Sequence, residues 1–167
     1  MARNLTSDLR PNTCYFDRIP EKLVLEGYRH WTAGFETGSI QPWEIAWSIY
    51  ADALGAQDGG EALSALSAFI RTLKKCSVCP LRAFPFHSHH LCVEECLTMG
   101  LIAGIQHSDD VVEICLQHLA CSARCAEVEG AAHVFAKTLV RLDQVLLPIP
   151  EHVIVDVLSQ GSRTRLH

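Results

Sequence analysis

An all-α fold, a helical bundle of about five to six helices in a single domain, is predicted by three observations. Apolar residues recur at three- and four-residue steps through most of the chain. Glycine and proline fall between those runs and seldom inside them. Strand-like patterning is confined to a hint over 151–158, where Val153, Ile154, Val155 and Val157 cluster. At 167 residues the chain has the length of one domain that can bury a core without staples.

Residues 1–18 are polar and interrupted by Pro11, so an extended N-terminal arm is expected, with Cys14 beside Tyr15 and Phe16 as a packing residue. The bundle is expected over 19–159. Pro20 opens a first helix to about residue 35, carrying Leu23, Tyr28, Trp31 and Phe35, and Gly38 stops it. Ser39 caps a second helix, with Pro42 and Glu44 in its first turn. There Trp43, Trp47 and Tyr50 form a stripe that is read as core. Asp58-Gly59-Gly60 is read as a turn before a third helix, about 61–75, whose buried face holds Leu63, Leu66, Phe69, Ile70 and Leu73. Pro80 and Pro85 exclude a continuous helix between residues 76 and 90. A fourth helix is expected over about 89–105, and a fifth, capped by Ser108, fades near 125–129. A sixth, about 130–147, is closed by Pro148 and Pro150. A short last helix over 151–159 and a flexible tail over 160–167 complete the reading.

Composition narrows the function classes. Apolar residues make up 49% and charged residues 20%, the proportions of a folded chain. The net charge is −5, and Lys and Arg cluster only at 71–75 and 163–165. A phosphate-contacting surface needs a basic patch, so nucleic acid is not an expected partner. No apolar run approaches the roughly 18–20 residues that span a bilayer, and residues 1–20 lack an apolar signal core. The expectation is a cytoplasmic protein without a membrane partner, whose thiols are kept reduced. No protein partner is identified, and a homodimer is left open. There is no phosphate-binding glycine loop, dinucleotide fingerprint or nucleophile elbow.

Chemistry concentrates between Cys76 and Cys125, which hold seven of the eight cysteines and five of the nine histidines. One pattern occurs there twice. His89, Cys92 and Cys96 read H-x2-C-x3-C, and His118, Cys121 and Cys125 repeat it. On a helix such spacing places all three residues on one narrow sector. Two antiparallel helices would then turn matching ridges of sulfur and imidazole toward each other. Soft thiolates favour Cu(I) and zinc, and imidazole adds to both. The leading expectation is therefore a zinc or copper ion held by Cys92, Cys96, Cys121 and Cys125, with His89 and His118 as additional ligands.

Three other readings use the same residues. Cys76, Cys79, His87 and Cys92 resemble a zinc knuckle with a lengthened centre. Cys76-Ser77-Val78-Cys79 is a C-x-x-C pair that could serve thiol redox chemistry. Alternatively the cysteines are small hydrophobes inside a helical interaction or regulatory module, the role assigned to Cys115. His30, His107, His133, His152 and His167 are read as solvated or capped side chains.

The run from Cys92 through Val111-Val112-Glu113-Ile114-Cys115 to Cys121-Ser122-Ala123-Arg124-Cys125-Ala126-Glu127 resembles the cysteine-rich four-helix-bundle copper-binding proteins of the copper storage type. The resemblance covers about fifty residues and rests on C-x3-C. It implies Cu(I) held by cysteines inside a bundle. This chain carries no cysteine on the expected helices before Cys76 or after Cys125, which limits the implication to one small site.

Overall fold

Pro20 in its first turn and Gly38 just past its end delimit α1 (Ile19–Thr37). Gly38 takes a left-handed φ of 67° and donates its N–H to the Gly34 carbonyl, a helix stop that needs no Cβ. The computed structural model describes residues 17–77 and 80–164, with side chains described as far as residue 161. Six further α-helices follow among them: α2 (Gln41–Leu54), α3 (Ala56–Cys76), α4 (Val93–His107), α5 (Val111–Leu119), α6 (Cys125–Arg141) and α7 (Glu151–Thr164). A 3₁₀ turn (Ser122–Arg124) separates α5 from α6. The fold is all helical, with no strand among the described residues.

Two helices are buried on nearly all sides and the others wrap them. α4 buries eleven consecutive residues from Glu95 to Ile105, and α1 buries ten from Leu23 to Thr32. α1 packs on α2, α3 and α4, while α4 also meets α5, α6 and α7. α3 and α6 lie side by side, with Phe69 and Phe135 stacked 6.1 Å apart in the interior. Fully buried Leu66, Ile70, Leu101 and Leu139 each contribute on the order of 1.5–3 kcal/mol of transfer free energy.

Several boundaries differ from the sequence reading, each for a local reason. The break between α2 and α3 is Gly55, at φ 87°, and Asp58-Gly59-Gly60 lies inside α3. Gly59 serves close packing: a Cβ there would stand 2.6 Å from the Tyr50 carbonyl oxygen. α4 begins at Val93 and leaves His89 in the preceding loop, because the Glu95 side chain accepts the Cys92 N–H and closes a capping box. Ser108 ends α4 in a left-handed conformation, and Asp110 takes the position before α5. α5 stops at Leu119, short of Cys121, and α6 starts at Cys125 and ends at Arg141. Leu142 and Asp143 then form a turn, Asp143 at φ 59°, and residues 144–150 run without regular secondary structure, tied by the Leu147 N–H to buried Glu21. The hint of strand near 153–157 is helix, and α7 continues to Thr164, so residues 160–164 are not a tail. Of the stripe on α2, Tyr50 is buried and Trp43 packs on Trp31 and Phe35, whereas Trp47 is exposed. Cys14 and most of the expected arm lie outside the described residues.

Candidate functional site

The most highly connected polar group is Arg29, on α1 and 1% exposed. All five of its N–H groups are used. Nε donates to Glu95 Oε1 at 2.7 Å, and Nη2 donates to Glu95 Oε2 at 3.2 Å and to the His90 carbonyl at 2.8 Å. Nη1 donates to the Ser88 carbonyl at 3.0 Å and to Glu26 Oε1 at 3.3 Å. Glu95 accepts two more bonds, from the Phe84 N–H at 2.9 Å and the Cys92 N–H at 3.0 Å. Glu26 accepts the His87 N–H at 3.1 Å. A buried charge persists only when paired and hydrogen-bonded, and this planar fork against a carboxylate meets both conditions. Its consequence is local: a proline-broken loop is clamped at five backbone positions between Phe84 and Cys92.

His87 sits in that loop at φ 60°, a strained conformation for a residue with a Cβ. His30 is stacked parallel on Phe86, ring centroids 4.0 Å apart, with Nδ1 donating to the Glu26 carbonyl at 2.8 Å. Burial lowers the His30 pKa below its ordinary value, so the ring is neutral near pH 7. Of the two roles expected for His30, solvated or capped, burial rules out the first. The missed signal was charge on otherwise apolar helices. Glu26 and Arg29 are spaced i, i+3 within the buried run of α1, and Glu95 sits in the buried run of α4. Such charges require partners.

The clamped loop forms one wall of a cleft of about 960 Å³. Leu81, Phe84 and Leu91 line it from the loop, Val93 and Leu97 from α4, Leu119 from α5 and Val157 from α7. Polar groups are few: Glu36, Arg82, Cys92, Glu94, Gln117 and His118 among them. The Arg82 carbonyl accepts from Tyr28 Oη at 2.8 Å and from Cys92 Sγ at 3.4 Å, which fixes the loop's other end. Comparison with protein-family models, curated proteins and solved structures returns no match.

The two cassettes are not matching helical ridges. Cys92 precedes α4, so only Cys96 of the first set is helical, and Cys96 is buried in the interior, where it adds a smaller effect to the burial that raises the Cys115 thiol's pKa. His89 is exposed. In the second set His118 is on α5 with Nδ1 bonded to the Ile114 carbonyl, Cys121 lies beyond the helix, and Cys125 opens α6. The chain turns between them, which dissolves the i, i+3, i+7 sector. Cys92 and His118 do wall the same cleft, one from each cassette. Among the described residues no group of three or more His, Cys, Asp or Glu side chains is arranged to hold a metal ion. Burial pushes the Cys92 thiol up to about 12, and that of Cys115 likewise. Of the knuckle-like set, Cys76 faces Glu127 Oε2 at 3.8 Å while Cys92 faces Arg82, so the two sulfurs turn to different partners. His87 is exposed, and Cys79 lies outside the described residues. Among the described helices none is long and apolar enough to cross a membrane.

Proposed function

We propose that this protein is a helical binding module that takes a small molecule with an apolar body and a cationic or hydrogen-bond-donating head in the cleft beside the Arg29 clamp. The observation that carries the reading is a cleft of about 960 Å³ whose lining is mostly apolar with several polar residues, within the size range of ligand sites. The head group follows from the charged residues of the lining, two acidic (Glu36 and Glu94) against one basic (Arg82). The clamp supports the same reading, because it spends a fully paired buried arginine on holding one wall in place. Preorganised walls cut the ordering cost of binding. The cysteines near the cleft are then packing and capping groups.

Titration with a cationic apolar fluorophore tests this. Saturable one-to-one binding is expected, weaker for an anionic dye of the same body, and lost in Ala83→Trp and Val157→Lys. Absence of saturable binding, or equal binding by both variants, refutes the reading.

A second reading is favoured by one observation, the shared cleft of Cys92 and His118. A soft ion, zinc or Cu(I), would use that thiolate and imidazole. Elemental analysis of untagged protein, alone and as Cys92→Ser with His118→Gln, tests it: stoichiometric metal lost in the variant supports the ion, and metal-free wild type excludes it.

A further inference from the structure

The chain brings together the backbones of two cysteines that are far apart in sequence. Cys76 is the last residue of α3, and Cys121 immediately precedes the 3₁₀ turn between α5 and α6. The Cys121 N–H donates to the Cys76 carbonyl oxygen at 3.0 Å. We propose that Cys76 and Cys121 form a reversible disulfide that staples the end of α3 to the α5–α6 junction.

The backbone bond sets the distance. A carbonyl oxygen lies about 2.4 Å from its own Cα, and an amide nitrogen about 1.5 Å from its own. Added to the 3.0 Å bond, these cap the Cα separation just under 7 Å even if every atom were collinear. Since the path bends at each atom, the pair falls inside the roughly 4.4–6.8 Å span that disulfides occupy. Both residues stand at helix boundaries, Cys76 at the end of α3 and Cys121 in extended backbone at φ −66°, ψ 146°. Neither residue lies in a helix interior, so the proposed bridge asks for side-chain rotation at two helix boundaries and not for unwinding of a helix.

Among the described cysteines, competing pairings are disfavoured by where the other sulfurs lie. Cys125 Sγ is held over the carbonyls of Cys121 at 3.5 Å and Leu116 at 3.6 Å. Cys96 and Cys115 are buried between α4 and its neighbours. Cys92 faces the Arg82 carbonyl. Cys121 is half-buried and Cys76 is 2% exposed, so an oxidant reaches Cys121 first.

The oxidant is a low-molecular-weight disulfide such as oxidised glutathione. The Cys121 thiolate attacks one of its sulfurs, forming a mixed disulfide and releasing one glutathione thiolate. Cys76 passes its proton to Glu127, whose Oε2 lies 3.8 Å from Sγ, and attacks the Cys121 sulfur. The Cys76–Cys121 bond forms as the second glutathione thiolate leaves. Two protein thiols are oxidised by two electrons and one small disulfide is reduced to two thiols. Ser77 and Leu119, near the two cysteines in sequence, line the cleft, but the bridge does not depend on what the cleft binds.

The experiment treats the full chain, natively folded, with oxidised glutathione, alkylates the remaining thiols and maps the unreduced digest. A peptide joining Cys76 to Cys121 is expected, reversed by dithiothreitol, present in Cys79→Ser and absent in Cys121→Ser. The thermal midpoint is expected to rise by about 5 °C or more on oxidation of the wild type and of Cys79→Ser, and to stay in place for Cys121→Ser. Linkage of Cys76 to Cys79 or Cys125, or full alkylation of Cys76 and Cys121 after oxidation, overturns the proposal.

Discussion

Replacing Glu95 by glutamine tests whether the Arg29 clamp holds the cleft wall. The change preserves shape but removes the charge, and turns one of the two acceptor oxygens into a donor. Glu95 Oε1 receives Arg29 Nε and the Phe84 N–H, and Oε2 receives Arg29 Nη2 and the Cys92 N–H. Whichever way the amide turns, two donors meet an NH₂ group, and Arg29 is left buried without a carboxylate opposite its fork. Breaking one side of a buried pair costs about 3–5 kcal/mol. For a chain of this size each kcal/mol moves the midpoint by about 2–4 °C, so calorimetry should show a fall of about 6–20 °C. Hydrogen exchange gives the local readout: the Phe84 and Cys92 amides lose protection before the helices do. A Glu95→Gln protein that melts within about 2 °C of the wild type, or keeps both amides protected, refutes the clamp.

Two glycines should respond in opposite directions. Gly59→Ala, whose Cβ would press on the Tyr50 backbone at 2.6 Å, should destabilise by about 1–3 kcal/mol. Gly130→Ala, in the interior of α6 with nothing within 4 Å, should stabilise by about 0.5–1 kcal/mol; urea midpoints check both. On the alkaline side, burial holds the Cys92 and Cys115 thiols up to about 12, above their ordinary 9.0, and raises the phenols of Tyr28 and Tyr50 as well. A raised acid favours the neutral form, so its contribution is present below the unfolded pKa and lost as pH climbs from about 9 toward 12. Cys92→Ala with Cys115→Ala should flatten that limb of a urea-midpoint profile. On the acid side His30 is held below 6.5 by burial, so stability is present above 6.5 and falls as pH drops through that range. His30→Gln should remove this slope, and an unchanged slope would place its source in another group.

The helices were legible because their signals are local. Pro20 and Gly38 mark the ends of α1 as expected, and Leu63, Leu66, Phe69, Ile70 and Leu73 are the buried face of α3. Gly59 misled because a glycine that breaks a helix and one that lets two helices touch are the same letter; only the neighbour at Tyr50 distinguishes them. Spacing misled at the cassettes for a related reason. H-x2-C-x3-C defines a ridge only while the backbone stays helical, and the Glu95 capping box and the end of α5 at Leu119 interrupt both copies.

Helical class and most of the apolar core therefore reside in the chain's own periodicity, since three- and four-residue recurrence acts within a single element. The partners of Arg29, the cleft beside it and the meeting of Cys76 with Cys121 were set by packing. Each joins groups from separate elements, and a buried charge or thiol is defined by what crosses to meet it.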